Sequence, residues 1–311
     1  MTTDLQTLHK TIVEFVQTGQ QDAGRFFQRV AGVLPEPQQL FGLDQLFALL
    51  ANPLLTPDWL QAVKSGQNQP IDQDQLWKTV QRRKLLFLDK SALNHALRNG
   101  ASLVLEGLDI LDPNINQLLT RLDETMPCAL SNCEAFFSRK GNEAYGGHRD
   151  SDDVLVIQIA GVKRWRVYEP QQRRYTGNSP LTEAQMGKLA DTFDLAPGDA
   201  LFVRAGVPHR VETTGDFSLH LSFDLIDRTP NIEQITHAAN ALFNQGLAPA
   251  HASPQEVVGQ YVNRLQSPEF VHQLDGARQQ IRQEARAFRQ KMAGAHQSPF
   301  HGVKDGKVIL K

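Results

Sequence analysis

Cysteine is scarce: the 311 residues contain two, Cys128 and Cys133. Two thiols cannot build the disulfide framework of a small secreted scaffold, and no histidine or cysteine cluster stands beside them at structural-zinc spacing. Both are expected to pack as small buried hydrophobes in a protein of the reducing cytoplasm. No stretch approaches the roughly 18 consecutive apolar residues of a membrane-spanning helix. The start, Met1-Thr2-Thr3-Asp4, lacks the basic-then-apolar pattern of a secretory signal. There is no long run of one charge either: 32 basic residues face 34 acidic ones for a net charge of -2, so no nucleic-acid partner is expected. Internal repeats and low-complexity tracts are also missing. With 41% hydrophobic and 21% charged residues, the composition is that of a globular protein large enough for one sizeable core with additions.

Periodicity divides the chain into three parts: a mainly helical region over 1–84, a β-rich region over 85–228 and a helical region over 229–311. Leu8, Ile12, Phe15 and Val16 recur at helical spacing, as do Leu43, Leu46, Phe47 and Leu50 before Asn52-Pro53. A helix over Asp89 to Asn99 is closed by Gly100, the apolar run Leu103 to Leu105 follows, and Asp112-Pro113 opens another helix. From about residue 129 the character changes to short strands: Phe136-Phe137, Val154 to Ile159, Lys163 to Tyr168, Ala200 to Val203, His209 to Glu212 and Phe217 to Leu225. Turn residues separate them, among them Gly146-Gly147, Gly161, Gly177-Asn178 and Pro197-Gly198-Asp199. The spacing predicts an all-β, double-stranded β-helix (cupin or jelly-roll) core flanked by helices. Beyond it, Ile232 to Phe243, Pro254 to Leu265 and Asp275 to Met292 are expected to be helical, the last crossing the core or pairing two chains.

The chemistry concentrates at His148-Arg149-Asp150 and at His209. Two imidazoles and one carboxylate on one face of a metal are the facial triad of non-haem iron oxygenases. On an extended segment alternate side chains share a face, so His148 and Asp150 can converge. His209 follows a Gly-Asp turn, the strand Ala200 to Val203 and the corner Gly206-Val207-Pro208, which sets an imidazole at a barrel mouth. In Lys163-Arg164-Trp165-Arg166-Val167 the alternation puts Lys163 with Trp165 and Val167 on a buried face. A buried ammonium is costly without a negative partner, so Lys163 meets an internal carboxylate or a dicarboxylate co-substrate, or its chain snorkels to water. The alternation of Phe217 to Leu225 gives a polar face carrying His220 and Ser222, which lines a pocket or meets water. Ser138 and Tyr145 are further pocket candidates, whereas His95, His237 and His251 have no partner ligands nearby in sequence.

Taken together, His148-x-Asp150, the stretch Asp153 to Val167, Pro197-Gly198-Asp199 and Gly206-Val207-Pro208-His209 resemble the JmjC-type oxygenases related to bacterial and human ribosomal oxygenases. The resemblance covers residues 85–228, and Val162 departs from the basic residue usual beside Lys163. It implies an enzyme in which His148, Asp150 and His209 bind Fe(II), Lys163 grips the distal carboxylate of 2-oxoglutarate, and O2 completes a hydroxylation of a C–H bond. By the same analogy the substrate is a protein or peptide side chain, and the C-terminal helices form a homodimer. Three other readings stay open at this level. They are a hydroxylase of a small molecule or biosynthetic peptide, a metal cupin that does not use 2-oxoglutarate, and a non-catalytic binding protein.

Overall fold

The computed structural model describes residues 3–21, 25–64, 70–79, 86–125, 129–170, 180–226, 253–272, 300–304 and 307–310, with positions 276, 283, 287 and 291. The chain forms two compact units, Met1–Ile226 with Met292–Lys311, and Asp227–Lys291. In the first, α1 (Thr3–Gln21) is followed by β1 (Phe27–Val30), α2 (Leu43–Ala51), β2 (Leu60–Lys64), α3 (Gln73–Leu76), β3 (Trp77–Thr79) and β4 (Leu86–Leu88). Next come α4 (Lys90–Arg98), β5 (Ala101–Leu105), α5 (Leu108–Leu111) and α6 (Pro113–Thr125). The β-rich stretch contains β6 (Ala129–Arg139), β7 (Asp153–Tyr168), α7 (Glu183–Met186), β8 (Leu189–Leu195), β9 (Ala200–Val203) and β10 (His209–Ile226).

Capping residues open the helices where the sequence places them. Asp89 accepts from the backbone N–H groups of Ser91 and Ala92 at 2.9 and 3.1 Å to start α4. Asp112 does the same for Asn114 and Ile115 at 2.8 and 3.0 Å, with Pro113 at the first position of α6.

One eight-stranded sheet runs in the order β1-β9-β7-β10-β6-β5-β2, with β8 on the other end of β7. It is the cupin or jelly-roll core expected, reached by fewer and longer strands. The two short strands read around Gly161 are the single β7, and those on either side of Gly215 are the single β10. These two pair along both halves: Val154–Gly161 with Ser218–Asp224, then Lys163–Val167 with His209–Thr213. Between the halves the sheet bends over on itself. The helical reading of residues 1–84 missed β1 and β2, which join the large sheet as outer strands, and β3, which pairs with β4. Each is too short to show a period of two.

The bend needs Gly161, whose φ is +67°; a Cβ there would lie 1.9 Å from the Phe217 carbonyl oxygen. Backbone cannot yield as a side-chain tip can. Gly161→Ala is therefore expected to cost more than about 3 kcal/mol, read as a lowered urea midpoint at unchanged m value.

Alternation assigns the faces of β10. Leu219, Leu221, Phe223 and Leu225 are fully buried on the outer face, in one cluster with Ile12 and Val16 of α1 and Ile115, Leu118, Leu119 and Leu122 of α6. The α6 residues fall on one helical stripe. Burying each such side chain contributes about 1.5–3 kcal/mol. That load holds the outer face down, so Ser218, His220, Ser222 and Asp224 must look inward.

In the second unit α8 (Pro254–Leu265) starts at Ser253, whose hydroxyl and backbone N–H both meet Glu256. Positions 276, 283, 287 and 291 are helical, as the reading of Asp275 to Met292 expects. Ile232 to Phe243, Gly177-Asn178, Cys128, His237 and His251 lie outside the described residues. The C-terminal region is not wholly helical: β11 (Phe300–Lys304) and β12 (Lys307–Leu310) form a hairpin.

Candidate metal centre

The two candidate histidines are joined first by backbone. His148 and His209 exchange N–H···O bonds of 3.0 and 2.9 Å across an isolated antiparallel bridge, which puts both side chains on one face. The loop carrying His148 is fastened to β10 a residue further on, where Arg210 donates to both oxygens of Glu143 at 2.9 and 2.8 Å. Asp150 is held by its carbonyl, which accepts from Gly206 N–H at 2.8 Å.

Ligand atoms of His148, Asp150 and His209 lie within 4.8 Å of one another, the one such group among the described residues. Asp150 sits between the rings, 3.6 Å from His148 Nε2 and 3.5 Å from His209 Nε2. Each imidazole faces a backbone carbonyl through Nδ1, Gly146 at 2.8 Å and Val207 at 3.1 Å. A carbonyl can only accept, so each Nδ1 carries the proton and each Nε2 lone pair is left toward Asp150. Burial, with His148 alongside, pushes the His209 imidazole down to about 4, so it stays neutral as a ligand must. A His2Asp donor set with both tautomers fixed fits a divalent first-row metal with open positions. Side-chain exposure rises from His209 (4%) to His148 (13%) to Asp150 (25%), so the approach is from the Asp150 side.

These residues line a cavity of about 300 Å³ enclosed by both halves of the bent sheet. Lys163 and Trp165 come from the second half of β7, both essentially buried; Trp165 stacks on His209 with ring centroids 5.3 Å apart. The alternating Arg164 and Arg166 face outward to Asp194 and Glu212. Lys163 Nζ donates to two hydroxyls, Ser138 at 3.0 Å and Thr213 at 3.4 Å. No carboxylate lies within ion-pair distance of it among the described residues. Burial pushes its pKa down to about 7, against the opposing pull of Glu143.

The inner face of β10 lines the cavity floor in pairs. Ser218 stands opposite Ser138, His220 opposite Phe136, Ser222 opposite Glu134, and Asp224 opposite Asn132. The polar face of this strand thus looks into the cavity, as do Tyr145 and the other pocket candidates apart from Ser138, which is buried beneath Lys163. Tyr145 packs edge-on to His148 at 5.8 Å. His95 is on the exposed side of α4, away from this cavity.

Glu134 and Asp224 were not recognised in the sequence. Burial first, then Asp224, raises Glu134 to about 8; burial first, then Asp150, raises Asp224 to about 6. The cavity therefore has a cationic end at Lys163 and an acidic end at Glu134 and Asp224. The signal existed: had the strand around Phe136 been extended to Ala129, alternation from Ser138 would have turned Glu134 inward.

Comparison with known proteins fits this geometry. Residues 110–235 match the family model of the JmjC domain. Ribosomal oxygenase 2 of Mus musculus is 29% identical over 109 residues, 33% of this chain and 23% of that protein. The bifunctional lysine-specific demethylase and histidyl-hydroxylase NO66 of Drosophila persimilis is 30% identical over 122 residues, 36% of this chain and 17% of that one. The chain thus matches less than a quarter of the length of either relative. Among solved structures, YcfD, a ribosomal oxygenase from Escherichia coli in complex with cobalt and 2-oxoglutarate, aligns with a TM-score of 0.53. That alignment has 18% identity and covers 85% of this chain and 69% of that one. The fold is the JmjC/cupin fold.

Proposed function

We propose that the protein is an Fe(II)- and 2-oxoglutarate-dependent oxygenase that hydroxylates a C–H bond on a protein or peptide side chain. One observation carries this reading: a tautomer-fixed His2Asp cluster shares one cavity with a buried lysine that has no carboxylate ion-pair partner among the described residues. His148, Asp150 and His209 would hold the iron. Bound there with 2-oxoglutarate, iron supplies oxidative hydroxylation by O2, with the co-substrate decarboxylated to succinate. Lys163, kept in place by Ser138 and Thr213, binds the distal carboxylate and so orients the co-substrate along the cavity. Trp165 excludes water behind His209. Tyr145 and Ser222 line the route between the metal and the acidic end, where the substrate side chain enters.

A protein substrate is supported by the two sequence relatives, ribosomal oxygenase 2 and the bifunctional lysine-specific demethylase and histidyl-hydroxylase NO66. Cys133, a buried free thiol, fits a cytoplasmic setting. No helix among the described residues is long and apolar enough to cross a membrane. Val258 and Val262, exposed one turn apart on α8, fit a homodimer contact through the C-terminal helices.

The test needs no substrate. Apo-protein mixed anaerobically with iron(II) and 2-oxoglutarate should develop a weak visible charge-transfer band that requires both additions. Iron binding without the band would return the site to metal-cupin chemistry that does not use 2-oxoglutarate; failure to retain any divalent metal would favour a binding protein.

A further inference from the structure

Within this reading of the site, we propose that His220 is a second anchor for 2-oxoglutarate, holding its distal carboxylate together with Lys163 and so selecting a dicarboxylate over other 2-oxo acids. His220 is a positioning residue for the co-substrate and takes no part in the metal's coordination.

Three observations support this. The ring is 4% exposed and its Nδ1 has no hydrogen-bond partner. A buried polar group left unpaired costs about 1–3 kcal/mol, a cost a ligand can remove. Second, the ring cannot turn away to find a partner elsewhere. It lies flat on Phe136 at 4.9 Å with 4° between planes, and meets Trp165 edge-on at 6.4 Å. Third, it lines the cavity one inward position along β10 from Ser218, the cross-strand neighbour of the Ser138 that holds Lys163. Lys163 is close enough for its charge to add to burial in depressing the imidazole. Two basic groups thus lie near one another, with hydroxyls around the ammonium and, among the described residues, no partner on the imidazole Nδ1. A carboxylate between them accepts from both, relieving their repulsion and the unpaired nitrogen together. An imidazole N–H can make that bond while the ring stays neutral.

Calorimetry on the full chain loaded with manganese(II), a redox-silent stand-in for iron, tests this with two ligands. 2-Oxoglutarate carries the second carboxylate; 2-oxobutyrate shares the 2-oxo acid head and lacks it. His220→Ala is expected to weaken 2-oxoglutarate at least about tenfold, the value of one hydrogen bond to a charged group, while 2-oxobutyrate changes less than about twofold. His220→Asn, which restores a donor, should recover most of the loss. Equal weakening of both ligands would mean that His220 acts through the fold or the metal, and no weakening of either would mean that it only packs; each overturns the inference. If the alanine variant does not fold, His220→Leu keeps the volume without the donor and is read by the same comparison. Wild-type protein that binds manganese but not 2-oxoglutarate would instead overturn the functional reading itself, and this inference with it.

Discussion

Lys163→Met should abolish measurable 2-oxoglutarate binding while leaving metal binding intact. The side chain is essentially buried and, among the described residues, its Nζ hydrogen-bonds to two hydroxyls and to no carboxylate. A dicarboxylate entering the variant cavity would therefore desolvate its far carboxylate against a thioether. Losing one partner of a buried charge pair costs about 3–5 kcal/mol, a weakening on the order of a hundred- to several thousandfold. The variant should not be less stable, because the free protein gives up an ammonium that burial already disfavours. The sign follows from the pKa, lowered from 10.5 to about 7. The penalty of holding the charge is full below pH 7 and is relieved as pH rises toward the unfolded value, so methionine gains most at and below neutrality. In the wild type the same shift predicts that 2-oxoglutarate binding takes up a proton. Affinity should fall above pH 7 by up to about one decade per pH unit, until the bound-state pKa is passed. Calorimetry in two buffers of different ionisation enthalpy reads the proton directly. A pH-independent affinity between pH 6 and about 8.5 would exclude Lys163 as the group that grips the carboxylate.

His209→Ala should remove the metal. Loss of a partner that merely orients a ligand histidine costs 10–100-fold in affinity, so loss of the ligand itself should cost more than about a hundredfold. The ring is also stacked on Trp165 and sits 4.3 Å from the His148 ring, so the variant should be destabilised as well. The two effects separate in a thermal-shift titration. Wild-type protein should gain stability with added manganese(II) in proportion to the logarithm of its concentration, and the variant should start lower and not respond. A variant that still responds like wild type would remove His209 from the coordination sphere.

The site was more legible than the scaffold. His148, Asp150 and His209 stand out because metal chemistry restricts the residue types and because the turns around them are spelled in glycine and proline. Lys163 could be placed with Trp165 because alternation is a local property. What could not be seen depends on partners distant in the chain. β1 and β2 count as strands only because β9 and β5 receive them, and nothing in four or five residues announces that. The direction in which His220 faces was undecided until the apolar side of β10 had α1 and α6 to pack on. The Arg210–Glu143 clamp links residues far apart in sequence, neither of which has an unusual neighbourhood of its own.

The bend at Gly161 has a genetic corollary. Gln158 pairs with His220 and Gly161 with Ser218, so three steps along β7 match two along β10. One supernumerary residue thus converts inward-facing even positions (Val154, Val156, Gln158) into inward-facing odd ones (Gly161, Lys163, Trp165). Deleting the Ile159 codon would close the bulge and keep these pairs, but deleting the Val162 codon, between the bulge and Lys163, would turn the far half of the strand over. Arg164 and Arg166 would then point at the metal, and Lys163 would point at solvent. Insertions and deletions between the bulge and Lys163 should be far less tolerated than substitutions, and a related gene one residue shorter there should no longer encode this co-substrate site, even with its histidines and aspartate unchanged.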